Sequence, residues 1–165
     1  MEDHAMNQLN ALQGGYEAAG AHASPGFGQP ALVTLKRVGG RPLSFNGVEL
    51  CMGMSFVPGA AFWYEVNVWR TAEQRFVVAI KTFFRDENET DQVRAWEFDD
   101  FDGAMAHLEG YDPAEDIRVD IDPSADMTLP ELAAHALALR ARAGEARRQF
   151  AALIGEILYD LDQSE

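Results

Sequence analysis

The sequence predicts an α+β fold: an antiparallel β-meander of about five strands packed against a long C-terminal helix, with a short helix between them. Three observations carry this. The runs "FWYEVNVWRT", "RFVVAIKTFFR" and "QVRAWEF" are rich in β-branched and aromatic residues and are separated only by short polar turns. Such neighbours pair most simply as a meander. From about Leu129 to Leu161, Leu132, Leu139, Ala146 and Leu153 recur every seven residues, and Ala136, Ala143, Phe150 and Ile157 recur in the same way four positions on. Together they form one apolar stripe on an amphipathic helix.

Taken in order, residues 1–30 read as a flexible N-terminal tail. Residues 1–12 have the pattern of a short helix, and "QGGYEAAGAHASPGFGQP" is rich in Gly, Ala and Pro with few large apolar groups. Residues 31–165 read as a single α+β domain. "ALVTLKRV" is a strand followed by the turn signal Gly39-Gly40. Asn46-Gly47 reads as a two-residue hairpin turn before "VELCMGMSF", and "PGA" breaks the chain before the meander. "DDFDGAMAHLEG" is a short helix with aspartates at its start and Gly110 at its end. "YDPAED" is a loop, and "IRVDI" has the composition of a short edge strand. Gly144, costing about 1 kcal/mol relative to Ala in a helix interior, marks a place for a break or kink in the last helix.

Alternation assigns faces to the meander. Phe62, Tyr64, Val66 and Val68, with Phe76, Val78, Ile80 and Phe84, form an apolar side that should lie under the helix. The opposite side carries Trp63, Glu65, Asn67 and Trp69, with Val77, Ala79, Lys81 and Phe83. Large aromatics around a few polar groups suit a binding surface, so Trp63, Glu65, Asn67, Trp69, Lys81 and Phe83 are the candidate binding residues. The same residues also suit cross-strand aromatic and Glu–Lys pairs that stabilise a half-exposed sheet.

The charge is uneven. Of 27 carboxylates, sixteen fall in residues 86–131, where Arg94 and Arg118 are the only Lys or Arg. That segment accounts for the whole net charge of −14, and the rest of the chain is balanced. An acidic belt repels nucleic acid and anionic membrane and attracts a basic protein partner. Arg140, Arg142, Arg147 and Arg148 on the last helix read as a solvated face or as one that meets the belt of another subunit. The apolar stripe is compatible with a homodimer formed through the C-terminal helix.

The window "DIDPSADMTLPE" places Asp120, Asp122, Ser124, Asp126, Thr128 and Glu131 at positions 1, 3, 5, 7, 9 and 12. This pattern resembles the calcium loop of the EF-hand family. It departs from it at Ala125, where the sharp turn asks for Gly, and at Pro123, and no helix leads into it. The same residues spell a helix start, with Thr128 and Glu131 as a capping box and Pro130 in the first turn. The cap accounts for more of the window, so no metal is assigned. Asp86, Asn88, Thr90 and Glu97 show part of the same spacing in a hairpin loop and are read as that loop.

Catalytic motifs are lacking. The four histidines are scattered, Cys51 is alone, and no zinc, nucleophile-elbow, Walker or dinucleotide spacing occurs. No catalytic residue and no cofactor is assigned. No apolar run approaches a membrane span, the start has no leader-like pattern, and a lone cysteine gives no disulfide, so a cytoplasmic location is expected. Arg outnumbers Lys eleven to two, which suits a GC-rich bacterial or phage genome. These features lead to a non-catalytic acidic interaction or regulatory protein (adaptor, chaperone-like or inhibitor) that binds a protein partner through the acidic belt and the aromatic sheet face. In composition and element order it looks like small acidic bacterial secretion chaperones and phage-encoded inhibitors. The alternative is a small-ligand-binding or enzymatic α+β domain with a pocket between sheet and helix.

Overall fold

Alternating side chains build β3 (Phe62–Thr71), β4 (Phe76–Phe84) and β5 (Gln92–Phe98), preceded by β1 (Ala31–Leu35) and β2 (Leu43–Met54). All are antiparallel and lie in sequence order, β1-β2-β3-β4-β5, as a five-stranded sheet. Helix α1 (Phe101–Gly110) and the long helix α2 (Leu129–Asp162) follow. The computed structural model describes residues 28–117 and 126–163. The tail expected over residues 1–30 therefore falls, up to residue 27, outside the described residues. So do Arg118 to Ile121 of the expected edge strand, and Asp120, Asp122 and Ser124.

The sheet is curled. Beyond β1, the Val38 N–H donates to the Val93 carbonyl of β5 at 2.9 Å, and Arg37 Nη1 donates to the Ala95 carbonyl at 3.4 Å. The first hairpin thus wraps across one face to the opposite edge. Two features of β2 permit the bend. Its first half pairs with β1 and its second with β3, and Gly47 faces both Ala31 and Thr71. A Cβ on Gly47 would lie 2.8 Å from the Arg70 carbonyl oxygen and against the Phe45 ring, so only glycine allows this approach. Asn46-Gly47 is consequently not the hairpin turn its sequence suggests: Gly47 is not among the glycines with positive φ, which a type I′ turn requires, whereas Gly39 in the true turn has φ 71°. A β-bulge then inserts Leu50 between the pairs Glu49–Trp69 and Cys51–Val68. The extra residue reverses which side the following residues face.

The convex side packs against the helices as the alternation predicts. Phe62, Tyr64, Val66, Val68, Val78 and Ile80 meet Ala104 and Leu108 of α1 and Ala146, Phe150, Leu153 and Ile157 of α2. A Cβ on Gly53 would lie 2.8 Å from Leu153 Cδ1, so this layer is filled. Cys51 belongs to the same core, and burial pushes its thiol up to about 11, aided by the charge of Glu49.

Helix α1 begins at Asp100, whose side chain accepts from Gly103 N at 2.7 Å. "YDPAED", read as loop, holds a single 3-10 turn, Pro113–Asp116, capped by Asp112. Helix α2 runs unbroken through Gly144 over 34 residues, about 51 Å. Its stripe divides in two. Ala146, Phe150, Leu153 and Ile157 are buried on the sheet, while residues 129–138, with Leu132 and Ala136, stand exposed beyond it. Among the described residues no helix is long and apolar enough to cross a membrane.

Candidate functional site

The register lays the second side of the meander out as transverse rows. Trp63 pairs with Phe83; Met54, Glu65, Lys81 and Val93 follow; then Met52, Asn67, Ala79 and Ala95; then Glu49, Trp69, Val77 and Glu97. All six candidate binding residues share this side, as the alternation requires. It is not an outward surface, however. The curl makes it concave and inward, and the β1–β2 wrap divides it.

In the closed half, Leu35 and Phe45 cover Trp69, Val77, Ala79 and Ala95 to form a second core. Phe45 meets Trp69 edge-on at 5.7 Å. Trp69 is therefore a core residue, separated in role from the other five. In the open half, the Trp63 ring stacks on Phe83 at 5.7 Å and takes Phe56 edge-on at 5.0 Å.

Between the aromatic row and the closed core lies a polar floor. Lys81 Nζ donates to Glu65 Oε1 at 2.6 Å, with both side chains largely buried. Asn67 Nδ2 donates to Glu49 Oε1 at 2.8 Å. That bond fixes the amide orientation, because a carboxylate only accepts. Among the described residues Asn67 Oδ1 has no partner, although Asn67 is only 4% exposed. Across the sheet from Asn67 stands Ala79 on β4, and on its other side Met52 on β2. Glu65, Asn67 and Lys81 lie on the side that alternation gives them, and Glu49, Met52, Met54 and Phe56, which the alternation of β3 and β4 does not place there, lie beside them. The bulge at Leu50 puts Met52 and Met54 on the same concave side as Glu49, which precedes it, and no residue pattern announces it.

The acidic belt is arranged differently from the expected surface. Arg142 pairs with Glu89 at 2.6 Å and lies 5.5 Å from the ring centroids of both Phe62 and Phe84. Arg147 grips Asp112 through two bonds of 3.0 and 2.6 Å, which hold that carboxyl below its usual range. Arg94 Nη2 approaches the buried Asp116 at 2.5 Å as an ion pair rather than an aligned hydrogen bond, and the Tyr111 hydroxyl donates to the other Asp116 oxygen. Arg142 and Arg147 thus meet the belt of their own chain, Arg148 pairs with Glu145 of the same helix, and Glu89, Asp112 and Asp116 lie on the helix side of the sheet. The belt and the aromatic face do not form one surface through these residues.

The convex core fills the middle of the layer between sheet and helix, and a hollow lined by Phe62, Arg85, Asp86, Glu89, Arg142 and Glu145 lies at its edge. His107 sits among Trp96, Phe98 and Tyr111, with ring centroids 4.3, 5.2 and 6.0 Å away. Among the described residues its Nε2 has no partner, and burial lowers its pKa. Among the described residues no three His, Cys, Asp or Glu are grouped to hold a metal ion. Of the 120–131 window, Thr128 and Glu131 make the capping box. Glu131 N donates to Thr128 Oγ1 at 3.4 Å, and Thr128 N donates to Glu131 Oε2 at 2.8 Å. No family model matches the chain, and no curated protein or solved structure is detectably similar to it.

Proposed function

We propose that the chain is a non-catalytic binding protein that receives a segment of a protein partner on the open half of its concave sheet face. The observation that carries this is an apolar lip. Met52 (51% exposed), Met54, Phe56 (39%) and Val57 follow one another along the end of β2 and the turn after it, beside the stacked Trp63 and Phe83. Exposed apolar groups in one run, backed by rigid rings, suit a partner's apolar side chains. Methionine adapts its shape to them, having three rotatable bonds and a polarizable sulfur. The net charge of −14 would favour a basic partner at long range. An adaptor, chaperone-like or inhibitory protein would use such a surface.

The test is site-specific photocrosslinking in the protein's own cells. A benzophenone side chain at Phe56 should give one discrete protein adduct, weakened by Met52→Ser with Met54→Ser. The same probe at Leu32, which is exposed on the other side of β1, should not give it. Identical adducts at both positions, or none at Phe56, would refute the reading.

A further inference from the structure

We infer that the polar floor of the open half is a pocket for an organic cation, the side chain of a lysine or arginine in the bound segment. This rests on the proposed binding face and names the group that would enter it.

Among the described residues the charge on the floor is unbalanced: Glu49 and Glu65 bring two carboxylates and Lys81 one ammonium. Glu65 and Asn67 are 7% and 4% exposed, so these charges and dipoles act where water screens them weakly. A buried amide oxygen without a donor costs about 1–3 kcal/mol. Asn67 Oδ1 is such an oxygen, and its orientation is set by the bond from Nδ2 to Glu49. What the floor lacks is therefore a hydrogen-bond donor carrying positive charge. Lysine and arginine side chains present donors and no acceptor, which matches a site whose unused groups are carboxylate and carbonyl oxygens. A neutral hydroxyl would satisfy Asn67 but leave the extra negative charge.

The access is also of the right kind. Met52 and Met54 face Asn67 and Glu65 directly in the register and are half-exposed. Their flexible chains can swing aside and then line the aliphatic stem of the incoming residue, while its charged end reaches the floor.

The experiment titrates the full chain with two synthetic peptides, acetyl-Leu-Lys-Leu-Lys-Leu-amide and its counterpart with glutamine at both lysine positions, by isothermal calorimetry. Amide spectra locate the contact through the Asn67 side-chain NH2 signals. The lysine peptide should bind at least tenfold more tightly. Glu49→Gln and Asn67→Leu should each remove most of that preference, and Met52→Ser should weaken both peptides. Should Asn67→Leu fail to fold, the half-buried Glu49 variant decides alone. Equal binding of both peptides, still sensitive to Met52→Ser, would overturn the cation pocket and leave the binding face standing. No binding of either peptide at millimolar concentration would overturn both.

Discussion

One sheet carries two sides of nearly equal burial and opposite chemistry. On the convex side, Tyr64, Val66, Val68, Val78 and Ile80 are almost wholly inaccessible and pack in one apolar cluster with α1 and α2, and buried polar atoms of that side, on Arg94, His107 and Asp116, gather at its β5 edge. On the concave side, Glu65 and Asn67 are hidden nearly as well, yet one is charged and the other keeps an oxygen without a partner among the described residues. Burial alone therefore does not define a core. Where every contact is apolar, the arrangement maximises stability. Where polar groups are buried and incompletely matched, the fold carries a cost that packing does not explain, which is the usual mark of a site.

The contrast can be broken most strongly from the convex side. Leu153→Ala should cost about 3 kcal/mol or more, through lost burial and the cavity left beneath Gly53. Urea unfolding would show a lower midpoint at unchanged slope. A loss under 1 kcal/mol would mean that the two sides do not differ as described.

On the concave side, Lys81→Met alone should cost about 3 kcal/mol, since it strands the Glu65 carboxylate. The double variant Glu65→Leu with Lys81→Met should recover most of that loss. Full recovery, read by the same unfolding curves, would show that the ion pair is not kept for stability. A double variant no better than the single one would make the pair structural.

A smaller effect concerns His107, a buried titratable group of the helix side. Burial lowers the pKa of His107, so the unfolded chain takes up a proton more readily than the folded one. The neutral imidazole's contribution is then fully present above about pH 6.5 and is lost as pH falls through that value toward the lower pKa of the folded state. Melting temperature should drop with acid over this window, and His107→Gln should flatten that part of the curve. An unaltered curve in the variant would show that other groups set the acid response.

The weakest expected effect lies in α2. Thr128→Ala removes a cap worth about 1 kcal/mol. Residues 129–138 are exposed beyond the sheet, so the loss should appear as faster amide exchange there, with the global midpoint almost unmoved. A matching fall in the midpoint would show that this half of the helix is coupled to the core after all.

These comparisons also mark what could be read from the residues. Strict alternation in Phe62–Val68 and the seven-residue spacing of Ala146, Phe150, Leu153 and Ile157 revealed the convex core directly, because both patterns are local. The six candidate residues of the other face were equally legible as a set. Their inward orientation was not, since it follows from Gly47, the bulge at Leu50 and a hairpin that crosses to β5. Asn46-Gly47 gave a false turn for the same reason: a glycine can serve a close approach as well as a positive φ. Nor could the sequence say that Arg142 and Arg147 answer Glu89 and Asp112, since these pairs are brought together by the fold across long stretches of chain.

The bond from Val38 to Val93 has a bearing on how the chain folds. The three hairpins of β2 to β5 join neighbours in sequence through short connections, so each can form early and alone. The contact between residues 38 and 93 encloses all of them and gains nothing until they are in place. It is thus the last seam to close and the first to open. In a pulse-labelling experiment the amide of Val38 should become protected after those of β3 and β4, and the inward face should exist only once it has.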